Sequence, residues 1–167
     1  MTWPHRDGRY EVSDDPARLD VDAVHAYLAR SDWAEGIPRE TVERALDGSL
    51  CFGLYAGAEQ VGLARVVTDR ATFAYLCDVY VLEAHRGQKL AVWLMECVMA
   101  HPDVQGLRRW MLATHDAHGL YRRFGFHGPE RPDRLMELKR PAAYASPLQA
   151  PSTPAPSPSN PSPASDA

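Results

Sequence analysis

Apolar residues recur along this chain with two periods, and the switches between them mark its elements. "RYEV" (residues 9–12) alternates and predicts a short first strand. Val21, Val24, Tyr27 and Leu28 share one helical face, behind an Asp20 suited to capping the first turn. "SDWAEGIP" breaks that helix. Pro38 suits a first helical position and opens a second helix over "RETVERAL", which Gly48 ends. "SLCFGLYA" and "QVGLARVVT" flank a turn at Gly57 and predict a β-hairpin. "TFAYLCDVYVL" is apolar almost throughout, which predicts a central strand covered on both faces. A turn, "HRGQ", then leads into a helix carrying Leu90, Leu94, Cys97 and Val98 to about His101, where Pro102 stops it. "RRWMLAT" predicts another buried strand, "DAHGLYRRFGF" a short helix closing at Gly125, and "RLMELKR" a last strand.

The predicted order is β-α-α-β-β-β-α-β-α-β, an α/β sandwich with a mixed sheet. The unit from "TFAYLCDVYVL" through the helix to "RRWMLAT" is a βαβ crossover, so its two strands run parallel.

Composition sharpens this picture. At 167 residues, 45% hydrophobic and 24% charged, the chain can bury one core without metals or disulfides. A formal charge of −4 argues against nucleic-acid binding by bulk charge. Cys51, Cys77 and Cys97 are odd in number and lack metal-like spacing, which predicts reduced thiols in an intracellular, cytoplasmic protein. No apolar run is long enough to span a bilayer, and the first residues lack a signal-peptide core, so no membrane role is expected. From residue 141 the chain turns to Pro, Ala and Ser, with Asp166 its only charge. That predicts a folded domain over residues 1–140 and a disordered tail over 141–167, with a ligand for a proline-recognising domain as the alternative.

The join between strand and helix at residues 83–91 carries the chemistry. A helix start has unpaired N–H groups and a positive dipole end, Gly87 permits close approach, and Arg86 and Lys89 add charge. A pyrophosphate fits such a seat; a solvated surface turn is the bland alternative. Two segments stand in order: Arg86-Gly87-Gln88-Lys89-Leu90-Ala91 and Tyr121-Arg122-Arg123-Phe124-Gly125-Phe126, with "RRWMLAT" between them. In these motifs and their spacing the chain resembles the GNAT superfamily of N-acetyltransferases over residues 9–140.

The resemblance implies a GNAT-like mixed sheet, mostly antiparallel, with one splayed parallel pair and flanking helices. It implies acetyl-CoA as cosubstrate. The pyrophosphate would rest on the N–H groups of residues 87–91, the pantetheine arm would run along Val79, Tyr80 and Val81, and Thr114 and Ala117 would complete the coenzyme site. Lys89 stands where the family usually has glycine; a right-handed helical conformation there would tolerate its Cβ. Thr114 stands where an asparagine is frequent, and its hydroxyl can still donate.

By the same match, Tyr121 would donate to the departing thiolate; otherwise it packs beside Leu120 and Phe124. Asp78, the only charge inside the apolar strand, is the candidate base, against a structural role bonding nearby backbone; Glu35 and His115 are weaker candidates. Trp33, Arg65 and Tyr75 are candidates to line the acceptor site. His115 and His118 lack a further ligand, so no metal is expected. The resulting expectation is acetyl transfer to the primary amine of a small molecule, by direct attack in a ternary complex. Cys77 is the nearest candidate for a covalent acetyl-enzyme. A second reading, a catalytically idle acyl-CoA-binding sensor acting through protein contacts, rests on Lys89 and the tail. A homodimer is compatible with the resemblance.

Overall fold

The computed structural model describes residues 1–5, 7–140 and 144. Its elements begin where local chemistry starts them. Asp20 Oδ1 accepts from the Ala23 N–H at 2.9 Å and opens α1 (Val21–Leu28). Pro38 sits one residue ahead of its expected position, as the residue preceding α2 (Arg39–Asp47), and Gly48 closes that helix. The predicted hairpin forms from β3 (Leu50–Ala56) and β4 (Glu59–Thr68), turning at Gly57 with φ +64°. Then follow β5 (Phe73–Val81), α3 (Leu90–Ala100), β6 (Arg109–Leu112) and the short α4 (His118–Arg122). Two strands precede α1: β1 (Thr2–Pro4) and β2 (Tyr10–Ser13).

The six strands lie side by side in sequence order, antiparallel except for the parallel pair β5–β6. This is the mixed, mostly antiparallel sheet expected, with helices on both faces. One face packs Phe52, Leu54, Val61, Val66 and Leu76 against Leu90, Leu94, Met95 and Val98 of α3. The other packs Cys51, Leu63 and Tyr80 against Val24, Leu28, Val42 and Leu46 of α1 and α2. No helix among the described residues is long and apolar enough to cross a membrane.

Four expectations are corrected. The sheet gains β1, whose three residues are too few to display a period. The strand β5 is not covered on both faces throughout. Ala74 and Leu76 are buried toward α3, while Tyr75 and Cys77 on the opposite face are only partly covered, because α1 and α2 reach Tyr80 but not these. The strand β6 is an edge strand, partly buried, with a single ladder partner among the described residues. "RLMELKR" forms no strand: an alternating segment needs a core face to bury against, and Met136 and Leu138 are instead 100% and 84% exposed. Of the expected tail, residues 141–143 and 145–167 lie outside the described residues.

The turn from β4 to β5 is organised by one carboxylate. Asp69 Oδ1 accepts from the N–H groups of Ala71, Thr72 and Phe73 at 2.8–3.0 Å, and Oδ2 accepts from Thr72 Oγ1 at 2.6 Å. These bonds, the Thr72 hydroxyl foremost, hold the Asp69 carboxyl far below the usual carboxylate range. Its stabilisation is therefore present above the unfolded value of 3.8 and lost as pH falls below it. Asp69→Ala is expected to lower the melting temperature at pH 7. It should also flatten the loss of stability below about pH 4, measured by thermal melts across pH.

Candidate active site

The strands β5 and β6 pair from Phe73–Arg109 to Leu76–Leu112 and then part company: β6 ends, while β5 runs on to Val81. Its other edge stays on β4, through Leu63–Tyr80 and Gly62–Val81. Main-chain groups of Cys77–Val81 on the β6 side thus border a gap, the splay expected of this pair.

At the mouth of the gap, β5 carries one residue more than β4: Arg65 pairs with Cys77 but Leu63 pairs with Tyr80. Asp78 absorbs that bulge with φ +52°, a left-handed conformation that costs a non-glycine residue about 1–3 kcal/mol. Its carboxylate is held on both oxygens. Arg65 Nε donates to Oδ2 at 2.6 Å and Trp33 Nε1 to Oδ1 at 3.2 Å. Arg65 is anchored in turn, its Nη1 donating to Ser49 Oγ at 3.0 Å. Arg65 and Asp78 side chains are only 17% and 11% exposed, so this ion pair is shielded from solvent. Three predicted residues, Trp33, Arg65 and Asp78, thus meet at one point.

They border a cavity of about 150 Å³ whose remaining walls come mostly from α1, α2 and the loop between them: Leu28, Ala34, Ile37, Val42, Ala45 and Leu46. Tyr144 closes one side. Tyr75 stands on β5 opposite Val67, half-buried, outside this cavity. Glu35 and His115 are exposed and border neither this cavity nor the groove described below.

The start of α3 offers donors. Among the described residues, the N–H groups of residues 87–91 have no hydrogen-bond partner. Gly87 has φ +78°, and a Cβ there would meet nothing within 4 Å. This open row of amides fits a diphosphate. The neighbouring side chains brace the turn. Arg86 reaches back, donating through Nε to Val81 O at 2.9 Å and through Nη2 to Tyr27 Oη at 3.2 Å. Gln88 donates to Tyr10 Oη at 3.1 Å and accepts from Arg9 Nη2 at 3.1 Å. Tyr10 and His85 Nδ1 lie 3.0 Å apart. Lys89 departs from expectation: its φ is +62°, so the residue before α3 is left-handed, not right-handed. The chain must turn sharply there to start the helix, which is why glycine suits the position.

Tyr121 lies on α4, buried, and borders a separate open groove of about 840 Å³ along β6. Burial pushes its hydroxyl up to about 12, Asp116 adding to the effect, so it stays protonated at neutral pH. Thr114 borders the same groove; its Oγ1 accepts from the Ala117 N–H at 3.0 Å, and its O–H is left to donate. Asp78 and Tyr121 therefore border different cavities. Burial likewise pushes the Cys77 thiol up to about 11, which leaves a protonated and weak nucleophile. Among the described residues no group of three or more His, Cys, Asp or Glu could hold a metal ion.

The loop "SDWAEGIP", expected to help build the acceptor site, supplies Trp33, Ala34 and Ile37. Sequence reasoning missed Ser49, Tyr10 and the walls from α1 and α2, which carry no signal of their own and reach the site only through the fold.

Residues 47–128 match the family model of the acetyltransferase (GNAT) domain. A candidate acetyltransferase of Gibberella zeae is 40% identical over 138 residues, 68% of this chain and 76% of that protein. A crystal structure of a candidate GNAT-family acetyltransferase from Xanthomonas campestris pv. campestris superposes with TM-score 0.80 at 51% identity, over 86% of this chain and 99% of that one. An acetyltransferase of Clostridium acetobutylicum crystallised with acetyl-CoA shares the fold, at TM-score 0.57 and 14% identity over 83% and 96% of the two chains.

Lys89→Gly relieves the left-handed strain ahead of α3. The variant is expected to be more stable by about 1 kcal/mol, read from urea denaturation midpoints.

Proposed function

Because this chain belongs to the GNAT acetyltransferase family, we propose that it moves an acetyl group from acetyl-CoA to the primary amine of a small molecule, by direct attack. The observation that carries the reading is the gap between β5 and β6, with unpaired amides at the α3 start on one side and the Arg65–Asp78 pair at its mouth. The acetyl-CoA crystallised with the Clostridium acetobutylicum protein supports the donor.

The amides of residues 87–91 hold the diphosphate by direct N–H donation reinforced by the helix dipole. Lys89 adds charge beside them, while Arg86 and Gln88 keep the turn in shape. The pantetheine arm lies along the main chain of Val79–Val81, whose β6-side groups other than the Val81 carbonyl, which Arg86 meets, need a partner once β6 has ended. Ala117 and Thr114 shape the far wall of the coenzyme site.

Transfer then has three needs: a neutral amine, a polarised thioester carbonyl and a stabilised leaving thiolate. Asp78 receives the ammonium and accepts its proton, directly or through water, leaving the lone pair free to attack. The C–N bond forms as the C–S bond breaks, and the second proton on the acylated nitrogen passes through water to the departing thiolate, giving the neutral amide and the CoA thiol. Tyr121 donates a hydrogen bond to the departing sulfur. With a hydroxyl near 12 and a free thiol near 8.5, full proton transfer would be uphill by about 5 kcal/mol. Tyr121 therefore acts as a donor that keeps its proton. The raised Cys77 thiol favours direct attack over an acetyl-enzyme.

Tyr121→Phe is expected to lower turnover at least about tenfold while leaving CoA affinity nearly unchanged, measured by thiol release and calorimetry. Equal turnover would remove Tyr121 from the mechanism. Protein that binds no acetyl-CoA at any practical concentration would remove the reading itself. Binding without release to any amine would favour the idle sensor.

A further inference from the structure

We infer that the acceptor is a compact, apolar monoamine, a primary amine on a short branched alkyl or single-ring body. The inference rests on the acetyl-transfer reading and concerns the cavity beside Asp78.

The cavity has a volume of about 150 Å³. An aliphatic-lined cavity of about that size takes a benzene ring. Its walls here are Leu28, Ile37, Val42 and Leu46, all buried and aliphatic, with Ala45 between them. Trp33, 52% exposed, forms the rim, so an apolar body entering the cavity also covers indole surface.

Polar groups restrict the acceptor further. Asp78 is the only carboxylate among the lining residues and Arg65 the only cation. One ammonium therefore finds one anionic partner. The second ammonium of a diamine would face walls whose other polar side chains are the neutral Thr41 and Tyr144 and the Trp33 rim, with no second carboxylate to offset its desolvation. An amino acid would bring its own carboxylate next to Asp78, and the Arg65 charge that could offset it is already balanced by Asp78 at 2.6 Å. Position agrees with composition. Asp78 lies two residues past Leu76, the last β5 residue paired with β6, so an amine held there stands at the mouth of the gap.

The test uses the full chain with acetyl-CoA and five amines: ethylamine, isobutylamine, benzylamine, putrescine and leucine. Isobutylamine and benzylamine are expected to give kcat/KM at least about tenfold above the other three, since apolar pockets discriminate by about that factor per methylene. Ala45→Leu fills the cavity without touching the polar groups. It should lower the ratio of benzylamine to ethylamine kcat/KM at least about tenfold. Putrescine or leucine matching benzylamine would overturn the inference, as would an Ala45→Leu effect equal for ethylamine and benzylamine. Calorimetric titration of benzylamine into the coenzyme-free protein separates the two levels of the argument. Saturable binding that Ala45→Leu weakens, with no transfer from acetyl-CoA, would uphold the cavity and sink the acetyl-transfer reading. Absence of binding together with efficient acetylation of putrescine or leucine would do the reverse, and absence of both binding and transfer would sink both.

Discussion

The shielded ion pair between Arg65 and Asp78 is the contact on which the site depends. It joins β4 to β5 where their register slips, and it compensates a residue whose backbone sits in an unfavourable region. Without a guanidinium opposite, the bulged residue would combine backbone strain with a half-buried, unpaired carboxylate, and an ordinary ladder would become competitive. The bulge also lies where the sheet opens. β5 pairs on both sides up to Leu76, and the extra residue follows where β6 has ended. One local irregularity thus carries an aimed carboxylate with the opening beside it.

A second brace lies under the start of α3. Arg9, Gln88, Tyr10 and His85 link the turn to β2, while Arg86 links it to the end of β5 and to α1. Tyr27, which meets Arg86, also stacks on Tyr80 at 3.7 Å between ring centroids. Backbone amides can serve an anion well only when they already point the right way. These side chains fix that direction from three elements, so the polar residues of the turn act mainly through geometry and leave contact with the ligand to the main chain.

Much of this was legible in the chain itself. A periodic helix such as residues 21–28 and a long apolar strand such as residues 73–81 announced themselves, and the two motifs around Gly87 and Gly125 fixed their order. Asp78 stood out because a lone charge in an apolar strand requires a partner, and Trp33 and Arg65 proved to be its partners. What stayed hidden was of two kinds. Tertiary neighbours such as Ser49, Tyr10 and Ala45 carry no local signal. Backbone handedness at Asp78 and Lys89 runs against residue preference, so no propensity argument reaches it. The expected strand over "RLMELKR" shows the opposite failure: the alternation was present, but no core face existed for it to bury against.

The unpaired side of β6 has a consequence for how the protein behaves in concentrated solution. Among the described residues nothing pairs with that side of the short strand, and such an edge is a template on which other polypeptides can add. Arg108 and Arg109, both exposed at its beginning, place like charges on any two such edges that approach each other. Colloidal behaviour then rests on this pair of arginines more than on the interior, and it becomes sensitive to ionic strength, because added salt weakens the repulsion that keeps the edges apart.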